Sequence, residues 1–152
     1  MFDSDCPDDW LDLGRDHGCF RFEAQAGILN WFEAQDHCNT LHENAFLAEI
    51  KSGVTQELLA QHANGIADHN WWLGGADFFQ EGHWRWERDG HKVDFTAWAE
   101  NQPNNENHNG VTEDCLHMLT KKQSLQRLWN DHVCIAKESD EQGLKPLCQL
   151  FF

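Results

Sequence analysis

Six cysteines are distributed over the whole length of this 152-residue chain, and they constrain its fold more than any other feature. They are Cys6, Cys19, Cys38, Cys115, Cys134 and Cys148. In a chain of this size, cysteines can be reduced core residues, metal ligands or disulfide partners. No Cys-X-X-Cys or Cys-X-X-His pair typical of zinc sites occurs. The even number and wide distribution favour a disulfide framework, and therefore secretion into an oxidising extracellular compartment.

Length and charge narrow the classes of function. A chain of 152 residues has the length of one ordinary domain, so we expect a single domain over residues 1–152. The 26 acidic residues against 11 Lys and Arg give a formal net charge of −15, which repels nucleic acid and anionic membranes. No apolar run approaches the length of a membrane span, and residues 1–5 lack the features of a signal peptide. We expect no nucleic acid partner, no membrane insertion and a secretion signal already removed.

Hydrophobic periodicity predicts two helices in the first half of the chain. Trp31, Ala34 and Cys38 recur at steps of three and four residues, and Asn30 precedes them as a candidate N-cap. A second helix is predicted over residues 52–63. Its apolar face would consist of Val54, Leu58, Leu59 and Ala63.

The second half of the chain has the pattern of strands and loops. Aromatic residues after Asn70 are separated by glycines and charged turns, without a helical period. Short strands are predicted over residues 115–119, 128–134 and 147–151. Residues 99–114 are rich in Asn and Glu and contain Pro103, which predicts a long irregular loop that is either functional or disordered. The fold class is therefore α+β.

Several motifs, taken in order, resemble the C-type lectin domain family. The first half carries Cys6-Pro7-Asp8-Asp9-Trp10, Trp31-Phe32-Glu33-Ala34 and Leu47-Ala48-Glu49-Ile50. Trp72-Leu73-Gly74-Gly75 is similar to the buried strand motif of that family, and Gln102-Pro103-Asn104 to its sugar-specificity tripeptide. Its calcium loop and its last ligand strand are matched by Glu113-Asp114-Cys115 and Trp129-Asn130-Asp131. The resemblance covers essentially the whole chain.

This resemblance implies a C-type lectin-like fold with two helices, short antiparallel sheets, a long calcium-binding loop and three disulfides. The implied pairs are Cys6 with Cys19, Cys38 with Cys148, and Cys115 with Cys134. Six cysteines alone permit fifteen pairings, so this connectivity is carried over from the family.

The resemblance also implies a calcium site of the kind that binds sugar. Its ligands would be Gln102, Asn104, Glu113, Asn130 and Asp131, all oxygen donors of the type that calcium prefers. The bond between Gln102 and Pro103 is cis in the family, and we expect the same here. The alternative interpretation of Gln102 and Asn104 is an ordinary polar loop with a turn proline.

The tripeptide departs from the usual family patterns, because both residues that flank Pro103 are amides. Glu-Pro-Asn is associated with mannose-type sugars and Gln-Pro-Asp with galactose-type sugars. Relative to either pattern one carboxylate is lost, so we expect weak calcium binding, with a Kd of about 10⁻⁴–10⁻³ M, and a relaxed preference between hexoses.

A second calcium position of the family would correspond to Asp77, Glu81, Asn105, Glu113 and Asp114. The alternative is that Asp77 and Glu81 are solvated loop charges. His108 and His132 lie beside ligand segments and are candidates for sugar contact, although a surface histidine is more often a bystander. Residues 135–147, between two of the cysteines, are predicted to form an extended acidic hairpin.

The predicted function is calcium-dependent binding of the vicinal hydroxyls of hexoses, in recognition of glycans or microbes such as innate immunity requires. A single sugar site of this type is weak, so we also expect a homo-oligomer. The alternative is a C-type lectin-like module whose target is a protein partner or ice. No His-Glu-X-X-His motif, nucleophile elbow or phosphate loop occurs, so we predict that the protein is not an enzyme.

Overall fold

The computed structural model describes residues 6–63, 70–99, 101–103, 105, 112–119, 128–135 and 144–152. The helices are α1 (Trp31–Leu41) and α2 (Gly53–Ala63). The strands are β1 (Leu11–Asp12), β2 (Cys19–Phe22), β3 (Ala45–Leu47), β4 (Asn70–Ala76), β5 (Arg85–Trp86), β6 (Cys115–Met118), β7 (Trp129–His132) and β8 (Leu144–Leu150). Neither helix has the length and apolar character that crossing a membrane requires.

Helix α1 begins where the sequence predicts. The Asn30 side chain accepts the backbone N–H of Glu33 at 2.8 Å, and the Glu33 carboxylate accepts the backbone N–H of Asn30 at 3.0 Å. This reciprocal capping box satisfies two of the N–H groups that a helix start leaves unpaired. The helix buries Trp31, Ala34 and Cys38, so the predicted apolar face is confirmed.

Helix α2 is confirmed, but its predicted apolar face is partly wrong. Val54 is exposed, whereas the polar Thr55 and Gln56 are buried together with Leu59 and Ala63. The reason is hydrogen bonding across the fold. The Thr55 hydroxyl bonds His17 Nδ1 at 2.7 Å, and Gln56 Oε1 accepts Trp129 Nε1–H at 2.8 Å. Specific partners thus make the burial of two polar side chains tolerable.

The strands form one sheet in the order β1-β2-β8-β4-β6-β7, with β3 paired to β8 and β5 to β4. Most pairs are antiparallel, as the family resemblance implies, but β4 and β8 run parallel. Strand β8 starts at Leu144, so residues 144–147 belong to the sheet and not to the predicted hairpin. The rest of that predicted hairpin, residues 136–143, lies outside the described residues.

The three disulfides join the cysteines as the resemblance implies. The Cys38–Cys148 bond links α1 to β8 across a sequence separation of 110 residues. A closed loop of this length corresponds to about 4–5 kcal/mol of stabilisation in the chain-entropy model. That contribution matters in a fold whose second half consists largely of loops.

Tryptophans fill the core beneath the second half of the sheet. Trp71, Trp72, Trp86 and Trp129 are fully buried. Gly74 in β4 has a steric role, because a Cβ added there would lie 2.8 Å from the Leu47 carbonyl oxygen. The close approach of β4 to β3 therefore requires glycine at position 74 of the Trp72-Leu73-Gly74-Gly75 motif. This packing holds β4 in place, and Asp77 directly follows β4.

Candidate metal centre

Strand β7 supplies Asn130 and Asp131 from a rigid base. It pairs with β6 from Trp129 to His132, and the Cys115–Cys134 disulfide closes the pair at one end. Trp129 anchors the strand because its backbone N–H donates to the Ala97 carbonyl at 2.7 Å, and its carbonyl accepts the N–H of Ala99 at 2.8 Å. The segment that leads to Gln102 is thus attached to the strand that carries Asn130 and Asp131.

Asn105 joins the loop to the other two segments through its backbone. Its N–H donates to Asp131 Oδ2 at 2.7 Å, and its carbonyl accepts the N–H of Glu113 at 3.1 Å. Asn105 has a φ of 62°, in the left-handed region that Asn tolerates better than most residues. Glu113 and Asp131 are both buried and lie beside the same backbone unit.

Gln102 reaches this face through a turn. Its N–H donates to the Ala99 carbonyl at 3.1 Å, and the bond between Gln102 and Pro103 is cis, which confirms the expectation. Gln102, Glu113, Asn130 and Asp131 are called the mixed cluster below, because amides and carboxylates contribute equally. Asn104 and His108, the two other candidates in this loop, lie outside the described residues.

Buried oxygens without partners are concentrated in these segments. The unpartnered side-chain oxygens are Gln102 Oε1, Asn130 Oδ1, Asn105 Oδ1, Asp77 Oδ1 and Asp114 Oδ1. Within the described part of the chain, every buried side-chain oxygen that lacks a hydrogen-bond partner belongs to a predicted calcium ligand. Such atoms are costly to bury unless another group satisfies them. A hard cation coordinated by oxygens fits this donor set.

Asp77, Glu81 and Asp114 form a second group, called the acidic cluster. Their ligand oxygens lie within 4.8 Å of one another, and the Asp77 N–H donates to the Asp114 carbonyl at 2.9 Å. Asp77 is buried, unlike a solvated loop charge, and its Oδ2 accepts the N–H of Gly82 at 2.9 Å. Burial, followed by the Glu81 and Asp114 carboxyl groups, raises the pKa of Asp77 to about 8.

The acidic cluster has the chemistry of a divalent cation site. Three carboxyl groups at this separation repel one another when all are ionised, and one of them is held largely protonated near neutral pH. A cation would replace that proton and neutralise the repulsion. Asn105, whose backbone contacts Asp131 and Glu113 of the mixed cluster, also has a buried side-chain oxygen without a hydrogen-bond partner.

Two stacked histidines lie beside Glu113 of the mixed cluster. His132 Nδ1 lies 3.6 Å from Glu113 Oε2, and its ring stacks on that of His117 with centroids 5.2 Å apart. His117 is fully buried, and burial, followed by the nearby His132, holds its pKa well below the usual value. His132 therefore packs against the protein interior, and His117 had no signal in the sequence beyond its position in a predicted strand.

These features define a binding module whose loops present oxygen ligands at one edge of a disulfide-bonded α+β fold. Residues 28–139 match the Lectin C-type domain family, and the chain belongs to that family. The family and the fold are those of non-enzymatic lectins.

Known proteins are similar over nearly the whole chain. A perlucin-like protein of Mytilus galloprovincialis is 29% identical over 140 residues, which cover 91% of this chain and 80% of that protein. The crystal structure of the C-type lectin CEL-I from Cucumaria echinata is similar with a TM-score of 0.76 and 28% identity, covering 97% and 99% of the two chains. A calcium-independent type II antifreeze protein is also similar, with a TM-score of 0.71, 25% identity and coverage of 96% and 95%.

Proposed function

We propose that this chain is a calcium-dependent lectin, a single carbohydrate-recognition domain over residues 1–152 that binds hexoses through vicinal hydroxyls. The observation that carries the proposal is the set of unpartnered buried oxygens on Gln102 and Asn130, in segments that also carry the buried carboxyl groups of Glu113 and Asp131. In the C-type lectin family, residues at these positions hold the calcium ion to which sugar binds. The membership of this chain in that family and its similarity to lectins support the proposal.

The mixed cluster would hold the ion through Gln102, Glu113, Asn130 and Asp131, together with Asn104. Calcium supplies coordination positions for two sugar hydroxyls when it is bound. Glu113 can accept a hydrogen bond from one hydroxyl, and the Asn130 amide can donate a hydrogen bond to the oxygen of the same hydroxyl. His132, fixed by its stacking on His117, restrains the Glu113 carboxylate at this place.

The second hydroxyl meets a different environment, since Gln102 and Asn104 offer amide donors and no carboxylate. Its hydrogen bond must be accepted by water or by another group of the ligand. We therefore propose weak calcium affinity and a relaxed preference between mannose-type and galactose-type sugars. The acidic cluster would hold a second calcium ion with Asn105 and Glu113.

Three disulfides suit secretion into an extracellular, oxidising compartment. A single hexose site with millimolar affinity contributes only about −4 kcal/mol, so recognition of a cell surface would require several sites together. We propose that the protein acts as a homo-oligomer in glycan or microbial recognition.

The test is a glycan array probed in calcium and in excess chelator. We expect hexose-bearing glycans to bind in calcium. In chelator, their binding signal should be at least about tenfold lower. Asn130→Ser should lower binding in calcium, whereas the matched control Asn39→Ser, on the exposed side of α1, should not. Glycan binding that survives chelation would overturn the calcium mechanism.

A second candidate function is binding of ice or a protein by the same fold without calcium. It is favoured by the similarity to the calcium-independent type II antifreeze protein. Thermal hysteresis of the purified protein in chelator, with no glycan bound on the array in calcium, would support this candidate and exclude the lectin proposal.

A further inference from the structure

An exposed apolar patch lies beside the acidic cluster. It consists of Phe32 (46% exposed), Phe78 (36%), Phe79 (79%) and Ile135 (69%). These are four of the six large hydrophobic side chains exposed in the described part of the chain. Single exposed apolar residues are normal, but a contiguous group marks an interaction surface.

Ring contacts and one backbone contact hold the apolar patch together. The rings of Phe32 and Phe78 stack with centroids 6.0 Å apart, and Phe79 meets Phe78 edge-on at 5.1 Å. The backbone N–H of Trp31 donates to the Cys134 carbonyl at 2.9 Å, which places Ile135 beside the start of α1. The patch therefore joins residues from three separate parts of the chain.

The patch is supported by the core beneath it. The buried Trp31 ring contacts Phe32 at 5.2 Å and Phe78 at 5.8 Å, both edge-on, and Trp31 Nε1 donates to the Leu73 carbonyl at 2.9 Å. Two of the patch aromatics are thus held in place before any partner arrives, so binding to them loses little side-chain entropy.

Carboxylates border the apolar patch. Asp36 is exposed one helical turn after Phe32, which brings the two side chains to the same face of α1. Glu81, also exposed, follows Phe79 by two residues and belongs to the acidic cluster. Among the ion pairs that the described residues form, none gives Asp36 or Glu81 a basic partner.

We propose that the apolar patch binds a polypeptide segment in which Lys or Arg residues flank apolar side chains. The aromatic rings would receive the apolar side chains, and ring faces together with Asp36 and Glu81 would attract the cations. A second copy of this chain fits the surface poorly, because two copies would bring acidic borders together in a protein of net charge −15. This inference is independent of sugar binding.

The test measures fluorescence anisotropy of a labelled synthetic peptide of about 12 residues that alternates Lys and Leu. Measurements in calcium with and without saturating free hexose separate this surface from the proposed sugar site. We expect Phe79→Ser to weaken binding about tenfold or more, and Asp36→Asn to weaken it about twofold to threefold at low salt. The matched control Val54→Ser removes a residue of 58% exposure on α2 and should change nothing.

Two further peptides decide whether the chemistry is as proposed. Peptides that alternate Lys with Ser, or Glu with Leu, should each bind at least about tenfold more weakly than the Lys and Leu peptide. Equal binding of the Lys and Ser peptide, or equal loss in Phe79→Ser and Val54→Ser, would overturn the proposal. Self-association that Phe79→Ser abolishes, or patch-dependent binding to uncharged lipid vesicles without peptide binding, would overturn it as well.

Discussion

The acidic cluster and the mixed cluster are adjacent in the chain, since Asp114 of the first follows Glu113 of the second, but their side chains differ in charge. The acidic cluster brings three carboxyl groups together, and burial, followed by the neighbouring Glu81 and Asp114 carboxyl groups, raises the pKa of Asp77 to about 8. The mixed cluster has neutral amide oxygens, on Gln102 and Asn130, that are buried without partners. A cation relieves both conditions, but for different reasons.

From this difference we infer separate tasks for the two clusters. Carboxylates attract a cation strongly and depend on pH, so the acidic cluster is suited to stabilising the loops. Amides attract a cation weakly but also donate hydrogen bonds, so the mixed cluster is suited to presenting an ion to a hydroxylated ligand. Asn105 connects the two, because its N–H contacts Asp131 and its carbonyl contacts Glu113.

The largest expected effect is the loss of hexose binding on substitution in the mixed cluster, compared with substitution in the acidic cluster. Glu113→Gln should reduce hexose binding about 100-fold or more, because a neutral amide replaces the carboxylate that both ligates the ion and accepts the charge-assisted hydrogen bond of a sugar hydroxyl. Glu81→Gln, in the acidic cluster, should reduce it less than about tenfold. Competition binding with a free hexose in saturating calcium measures both, and equal losses would contradict the division of tasks.

The pH dependence of the calcium-free protein tests the acidic cluster. A carboxyl whose folded pKa is raised from 3.8 to about 8 stabilises the fold fully at low pH, and the contribution is lost as pH rises through about 8. Between about pH 5 and about pH 7, this should lower the free energy of unfolding by on the order of 2–3 kcal/mol, about 1.4 kcal/mol for each pH unit.

Urea denaturation in chelator at several pH values measures that change. Asp77→Asn cannot ionise and should remove this part of the pH dependence. Asp9→Asn, an exposed acid elsewhere, is the control and should retain it. A wild-type profile identical to that of Asp77→Asn would show that Asp77 titrates normally.

A carboxylate at position 102 should increase the calcium affinity of the mixed cluster. Gln102→Glu adds one negative charge where the amide now lies, and we expect calcium affinity to increase about tenfold. By family resemblance the resulting Glu-Pro-Asn tripeptide should shift preference toward mannose-type sugars. Calcium titration by calorimetry measures the affinity, with exposed Gln25→Glu as the control; an equal gain in both variants would indicate only general electrostatics.

The contribution of calcium to stability should be small at each single site. At a calcium concentration ten times Kd, each site contributes about 1.4 kcal/mol of stabilisation, which corresponds to about 3–6 °C in Tm for a chain of this size. Thermal unfolding with and without chelator measures the total. Asp77→Asn should retain only part of the calcium-dependent increase in Tm. Retention of the whole increase would show that the acidic cluster does not bind calcium.

The local elements of the fold were predictable because their signals are local. Asn30 and Glu33 form a capping box within a few residues, and Trp31, Ala34 and Cys38 mark the buried face of α1. The disulfide pairing and the cis bond before Pro103 followed from family resemblance and are confirmed.

The remaining features depend on contacts between distant parts of the chain. Gln56 is buried because Trp129 donates to it across 73 positions, which no helical period reveals. The parallel pairing of β4 with β8 and the stacking of His117 on His132 are likewise set by the sheet. In the site, the sequence named the candidate oxygens, but only the fold shows that Asn105 bridges Asp131 and Glu113 through its backbone.

The central claim is that the mixed cluster presents calcium to a sugar, and the side-chain amides of Gln102 and Asn130 report on it directly. Proton–nitrogen correlation spectra can follow these amide signals while calcium and then a hexose are added. We predict that both signals shift with calcium and shift again with hexose only when calcium is present. Hexose-induced shifts in chelator, or hexose binding in calcium that leaves both amide signals unchanged, would contradict the claim.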